Sequence, residues 1–345
     1  MTHDLQLKMA SRQQIPKIYN LEQIEKVVAR KDFQNRLMEA IRDGFRSYSK
    51  GEFNACPIQT MGAPPMAPFV SNVENYAAQT CVKSGYVTGA SSYVVKVASG
   101  GHPHQNSGLM QVYSQATGKL EALLLDEGIL TELRTAAAGA VAASMFAPRR
   151  IEQIGLLGSG IQARYQLRFL TQVTPCRRVL VSGRTLSKTK DFAVEMSREG
   201  WSFEYTDDPD ELLRSCDLIV TTTSAREPVL GKNTAGRKKS QHITCIGADA
   251  PGKMELDLKL VCEADLLVAD CLMQTQERGE YEMAIRDGLV QVNHVKEIGS
   301  LVDKKELQRT TLYDERLTIF DSSGVAIQDC IIASMTFDAL TKTKE

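Results

Sequence analysis

The run Gly155-Leu156-Leu157-Gly158-Ser159-Gly160-Ile161-Gln162-Ala163 has the spacing that lets a strand turn into a helix around an anion. Gly158 permits a tight turn, Gly160 lets the backbone approach a pyrophosphate with no Cβ in the way, and Ala163 allows close helix packing. The helix N-terminus then offers unpaired N–H groups to the phosphates. An ordinary glycine turn shows the same short pattern. The dinucleotide reading is favoured by the apolar run Ile151 to Leu157 before it and the amphipathic pattern Ile161 to Leu170 after it. The ribose end is expected at the tip of the next strand, where Arg178 to Ser182 is followed by Gly183-Arg184-Thr185. An NAD site usually places a carboxylate there for the ribose 2′-OH, whereas a guanidinium suits the 2′-phosphate of NADP. Arg184 therefore favours NADP(H), with NAD(H) possible; the alternative is a solvated loop arginine.

The elements around this turn define the fold class. Short apolar runs alternate with helical patterns from Ile151 to Asp321: after the first two runs come Trp201 to Tyr205, Asp217 to Thr222, His242 to Gly247, Leu266 to Ala269 and Leu317 to Phe320. That alternation predicts an α/β fold with a Rossmann doubly wound parallel sheet. The N-terminal part differs, with a helical pattern over Leu21 to Tyr48 and strand patterns at Tyr93 to Val97, Leu109 to Ser114 and Leu120 to Leu125. It reads as an α+β substrate-binding and dimerisation domain, residues 1–130 with 325–345, joined to a nucleotide domain, residues 131–324. The alanine-rich stretch Ile129 to Phe146, closed by Pro148, is the expected connecting helix. The segment Val325 to Leu340 is expected to be helical and to pack back on the first domain.

Composition narrows the class further. A chain of 345 residues can bury a large core, and its net charge of −1 supplies no basic field for nucleic acid. No apolar run approaches a membrane span, and Met1 to Lys17 lacks a signal-peptide core. Eight scattered cysteines with no C-x-x-C pair, several in apolar runs as at Cys245 and Cys262, suggest reduced buried thiols and a cytoplasmic protein. His102-Pro103-His104 could form half a metal site but has no evident partner, so no metal is expected. The loop Lys232 to Lys239 reads as solvated. The hydroxyls of Thr222 and Thr223 could contact the dinucleotide, or these threonines could simply reflect β-propensity.

Several motifs together resemble the ornithine cyclodeaminase and mu-crystallin family over nearly the whole length. They are Tyr93-Val94-Val95-Lys96, Leu133-Arg134-Thr135-Ala136-Ala137, the Gly158 to Ala163 turn, Gly247-Ala248-Asp249-Ala250-Pro251-Gly252-Lys253, Gln274-Thr275 with Gly279-Glu280, and Phe320-Asp321-Ser322-Ser323-Gly324. The resemblance implies a homodimer with substrate between the two domains, and redox chemistry at an α C–N bond using a nicotinamide. One outcome is conversion of ornithine to proline and ammonia. The alternatives are NADPH-dependent reduction of a cyclic ketimine, a single dehydrogenase half-reaction, or a protein that binds cofactor and ligand without turnover. The candidate cofactor set is Arg134, Thr135, Gly158, Gly160, Ile161, Gln162, Ala163, Gly183, Arg184, Thr185, Thr222, Thr223, Ser323 and Gly324.

For the substrate, the resemblance assigns Lys96 and Arg134 to the α-carboxylate, with Lys96 able to exchange a proton with the reacting nitrogen. A surface cation is the alternative for each, although an unpaired lysine in an apolar strand would be costly. Asp249, after an apolar strand, would bind a distal amine and accept its proton, or else form an Asx turn before Pro251. These motifs favour the cyclodeaminase reading. Gln59 stands where the family commonly has an arginine for the substrate carboxylate, and with Arg184 it pulls towards imine reduction.

Overall fold

The computed structural model describes residues 15–61, 79–100, 107–304 and 315–342. Two sheets organise them. The first contains β1 (Lys17–Tyr19), β2 (Phe53–Ala55), β3 (Gln59–Met61), β4 (Gln79–Val87), β5 (Ser92–Gly100), β6 (Ser107–Ser114) and β7 (Leu120–Leu124), in the order β1-β7-β6-β5-β4-β2 with β3 also on β4. Its pairs are antiparallel apart from β1 with β7. The second contains β8 (Ile154–Leu157), β9 (Arg178–Ser182), β10 (Ser202–Thr206), β11 (Leu218–Thr221), β12 (Gln241–Cys245), β13 (Leu266–Ala269), β14 (Val295–Glu297) and β15 (Leu317–Asp321). All eight run parallel, in the order β10-β9-β8-β11-β12-β15-β13-β14. This is the expected α/β fold with a doubly wound sheet.

At the centre of the second sheet β8 and β11 are buried at every position, as parallel strands covered on both faces are. The alanine-rich helix Ile129–Phe146 forms over the expected span. Its small side chains bring it close to two neighbours, the helix Ile161–Leu170 and the helix Lys31–Ser49. The last helix, Ala326–Lys342, packs on β4 and β5 and against Ile129–Phe146, so it does return to the first sheet.

Two expectations need correction, and β14 is an addition to the expected runs. The pattern Leu21 to Tyr48 is two helices, Leu21–Val28 and Lys31–Ser49, because Arg30 is extended (ψ 133°) between them. Each buries its own apolar stripe, and one continuous period does not reveal the joint. The strand β14 is only three residues at the sheet edge, too short for an apolar run to announce it. Cys262 is exposed at the end of a short helix, while Cys245 is buried in β12 as expected. His102 and His104 lie outside the described residues. In the basic loop, Lys238 pairs with Asp217 and Lys239 with Glu315, which fits solvated and partly paired cations.

Candidate active site

The order of the second sheet reverses between β8 and β11, and a crevice at the carboxyl ends of those strands is where such sheets hold a nucleotide. Gly158 leaves β8 at φ +100°, and its N–H donates to the Ser182 carbonyl at 2.8 Å. A Cβ on Gly158 would lie 2.8 Å from Thr222 Oγ1, so both conformation and space require glycine. Gly160 begins the helix Ile161–Leu170, and a Cβ built there meets no protein atom within 4 Å. An open helix N-terminus behind a tight glycine turn fits a pyrophosphate. Ala163 is fully buried beneath it, and Ile161 is exposed at the rim. Gly183, Arg184 and Thr185 follow β9. The Arg184 side chain is exposed and makes no hydrogen bond or ion pair among the described residues.

Several candidate side chains turn back into the protein. Thr222 Oγ1 donates to the Leu157 carbonyl at 3.1 Å, and Thr135 Oγ1 donates to Thr131 at 2.8 Å. Gln162 donates to the Glu132 carboxylate, and Ser323 Oγ donates to Asp270 at 2.7 Å. Thr223 gives its backbone N–H to Glu255 at 2.5 Å. These positions present backbone and shape to a cofactor rather than free hydroxyls or amides.

Beside the crevice lies a buried charge cluster that the sequence reading anticipated only in part. Lys96 on β5 sits directly opposite Lys83 on β4, so the two side chains share one face of the first sheet. Both are buried, at 4 % and 7 % exposure. Lys96 Nζ lies 2.9 and 3.0 Å from the two oxygens of Asp329, in the first turn of the last helix. Arg134, from the alanine-rich helix, brings Nε to 3.0 Å from the same carboxylate and donates from Nη1 to Gln328 Oε1 at 2.8 Å. The Nε contact is an ion pair without good hydrogen-bond direction. Lys83 Nζ donates to the Gly324 carbonyl at 2.5 Å, with the Ser323 carbonyl at 3.5 Å. A Cβ on Gly324, which has φ +81°, would be 3.0 Å from Arg134 Nη1 and 3.3 Å from Lys83 Nζ, so a guanidinium and an ammonium flank one point. Asp270 fixes that turn by accepting from the Gly324 N–H at 2.7 Å and from Ser323.

The electrostatics follow from burial. Lys96 is drawn down to about 8 by desolvation, with Arg134 and Lys83 acting in the same sense and Asp329 opposing. Lys83 is lowered by desolvation and by Arg134. Burial would raise Asp329, but Lys96, Arg134 and Lys83 outweigh it and hold the carboxyl below its usual range. Asp126, just after β7, is raised to about 6 by burial; its Oδ2 accepts from the Leu130 N–H at 3.1 Å and its Oδ1 has no partner.

Asp249 follows β12 and pairs with Lys253 at 2.6 Å. Its side chain keeps 59 % of its surface open although protein crowds it on most sides, as befits a crevice wall. Crowding pushes its pKa up, but the charge and hydrogen bond of Lys253, with Lys83 further off, pull it down more, so the carboxyl sits below its usual range. Gln59 is not brought to this cluster. It pairs with Val82, so it lies on the opposite face of the sheet from Lys83 and Lys96, and it is exposed. The residues missed were Lys83, Asp329, Asp270 and a set of buried acids under the crevice. In that set Glu255 accepts from Thr221 Oγ1 at 2.6 Å and from the Gly247 N–H at 2.8 Å, while Glu280 accepts from the Glu255 N–H at 2.8 Å. One signal could have found Lys83: it and Lys96 stand equidistant from the Gly89-Ala90 turn of a hairpin.

Comparison with known proteins agrees with this fold. An uncharacterized cyclodeaminase, y4tK, of Sinorhizobium fredii is 36 % identical over 74 % of this chain and 78 % of its own. An archaeal alanine dehydrogenase dimer with bound NAD superposes with a TM-score of 0.81 at 28 % identity, covering 96 % of this chain and 97 % of that one. The iminosuccinate reductase of Paracoccus denitrificans in complex with NAD+ gives 0.79 at 27 % identity, covering 95 % and 97 %. The match to the family model runs from residue 19 to residue 344, and this chain belongs to the ornithine cyclodeaminase/mu-crystallin family.

Proposed function

We propose that this chain is an NAD(P)-dependent oxidoreductase that interconverts an α-imino acid and the corresponding α-amino acid, working as an imine reductase with NADP(H). The observation that carries the reading is the gathering of Lys83, Lys96 and Arg134 around a single buried carboxylate next to the glycine crevice. Lys96 and Arg134 against Asp329, with Lys83 beside them on the same sheet face, make a seat for an anion, and an α-carboxylate held by a guanidinium and an ammonium would be fixed in one orientation. A bound nicotinamide would supply or accept the hydride. The glycine turn and the helix N-terminus of Ile161–Leu170 would hold its pyrophosphate, and Arg184 its 2′-phosphate. Lys96, near 8, is placed in the pH range where an ammonium can give a proton to a developing amine and recover it from solvent.

A second reading, cyclodeamination of a diamino acid such as ornithine, is favoured by Asp249, an ionised, open carboxylate at the carboxyl end of β12. A distal ammonium would displace Lys253 from it and give up its proton there. Both readings place substrate between the first-sheet domain, residues 1–130 with 325–345, and the nucleotide domain, residues 131–324. A homodimer is supported by the archaeal alanine dehydrogenase dimer and by exposed apolar Ile18 and Leu125 at the β1–β7 edge.

The test is turnover of 1-pyrroline-2-carboxylate, 1-piperideine-2-carboxylate, iminosuccinate and pyruvate with ammonia, each with NADPH and NADH, beside ornithine with NAD+. Imine reduction that runs better with NADPH supports the first reading. Proline formed from ornithine without net change in cofactor supports the second. Tight NADPH binding with no turnover of any of these would leave a binding protein.

A further inference from the structure

We infer that Asp329 is a positioning residue of this site: it fixes Lys96 and Arg134 around one point and keeps Lys96 charged for an incoming carboxylate. The inference rests on the proposed carboxylate seat, but it concerns the charge state of Lys96 and can be read without turnover.

Position comes first. The Asp329 carboxylate contacts Lys96 through both oxygens at 2.9 and 3.0 Å and Arg134 Nε through one at 3.0 Å. Gln328, the preceding residue, takes Arg134 Nη1 at 2.8 Å. Two adjacent residues of the last helix therefore set both the place and the plane of the guanidinium, and the same helix turn sets the ammonium. A flexible lysine stem and a flexible arginine stem from different elements become a single rigid unit, which would otherwise lose rotamer freedom on binding.

Charge comes second. The groups facing Lys96 come from every element packed against it: Lys83 on β4, Arg134 and Glu132 on the alanine-rich helix, Asp126 after β7, and Asp329 on the last helix. Lys83 and Arg134 are cations that disfavour a charged Lys96. Asp126 and Glu132 are acids that act from further off: Asp126 accepts from the Leu130 N–H and Glu132 from Gln162, and neither makes a hydrogen bond or ion pair with Lys96 among the described residues. Asp329 is the acid in direct contact, and its placement in the first turn of a helix adds the favourable end of the helix dipole to its ionised state. Without it a desolvated Lys96 beside two cations would release its proton. An opposite charge within hydrogen-bond distance shifts a pKa by about 1 to 3 units. Removing it should move Lys96 downward by at least about one unit.

The direct test is the rate of reductive methylation of Lys96 by formaldehyde and cyanoborohydride between pH 6 and 10, followed by peptide mass spectrometry. This reaction needs the neutral amine and no substrate. In Asp329→Asn the midpoint of labelling should fall by about one pH unit or more, and Asp329→Glu, which keeps the charge but displaces it, should fall by less. Where an imino acid is turned over with NADPH, the alkaline limb of kcat/KM should move with the labelling midpoint. Coincident midpoints in wild type and Asp329→Asn overturn the inference, as does a loss of kcat with an unmoved alkaline limb, which is what a merely structural role predicts. Should Asp329→Asn fail to fold, Asp329→Ser, which also removes the charge, decides: a midpoint equal to wild type overturns the inference. A shifted midpoint in a protein that reduces no imino acid upholds the role of Asp329 and rejects the proposed function instead.

Discussion

Lys83 offers the sharpest separation between a ligand-binding residue and a structural one. Its ammonium is buried, shares a sheet face with Lys96, and donates to the carbonyls of Gly324 and Ser323. If those carbonyls are its purpose, Lys83 is a clamp on the Ser323-Gly324 turn. If an anion is its purpose, the carbonyls merely aim it. Lys83→Met keeps the stem and deletes the charge. In the clamp reading two carbonyl acceptors lose a charged donor inside the protein, at about 1 to 3 kcal/mol, with little effect on ligand. Either way that loss is offset in part by no longer burying an ammonium, and what sets the anion reading apart is the ligand. The ligand then loses one charge-assisted hydrogen bond, about 1.5 to 3 kcal/mol, or roughly ten- to a hundredfold in affinity. The assay pairs thermal unfolding with steady-state KM for the best imino acid, and with inhibition by a simple carboxylate such as pyruvate. We expect KM and the inhibition constant to rise together by that factor while the melting temperature stays within a few degrees. A melting temperature lowered by about 5 °C or more with unchanged carboxylate affinity would refute the anion seat.

Arg184→Ala should weaken NADPH by roughly ten- to a hundredfold and leave NADH nearly unchanged, measured by fluorescence titration; equal loss for both removes Arg184 from the 2′-phosphate. Asp249→Asn separates the two reactions: proline formation from ornithine should almost vanish if a distal amine binds there, whereas reduction of a preformed cyclic imine should fall only modestly. Asp126→Asn should stabilise the protein at pH 7.5 but not at pH 4. Asp126 is raised to about 6, so its contribution to stability is lost as pH climbs from the unfolded value towards 6, and a neutral amide removes a penalty of about 3 kcal/mol at most. Calorimetry at the two pH values checks this; equal shifts at both would mean the gain is unrelated to ionisation.

What could be seen in the sequence was local. The strand–glycine turn–helix at Gly158 announces itself because conformation and spacing are encoded within a few residues, and the helix Ile129–Phe146 because alanine and the following proline mark its body and its end. Lys96 stood out as a charge in an apolar strand. Lys83 did not, since a lysine between Val82 and Ser84 looks solvated; it is buried by a turn 240 and 241 residues further on. Asp329 is hidden for the same reason, as a polar residue on a helix whose partners lie on other elements. Gln59 shows the converse. Its place in a motif suggested a ligand, yet the pairing with Val82 directs it to the far face, and a register is set by neighbours that no single strand specifies.

The pairing of Lys96 with Asp329 has a consequence for how the nascent chain matures. Asp329 leaves the ribosome 233 residues after its partner. Until then β4 and β5 can hydrogen-bond as a hairpin, but the last helix is not there to cover their shared face. Lys83 and Lys96 stand side by side in water, repelling each other mildly and well hydrated. Docking of Ala326–Lys342 must strip that water, and the carboxylate it carries repays the dehydration only once all three charges are in place. The cluster is therefore complete only when this helix is docked. A chain that has built its two sheets but not yet docked this helix carries Lys83 and Lys96 on an open surface.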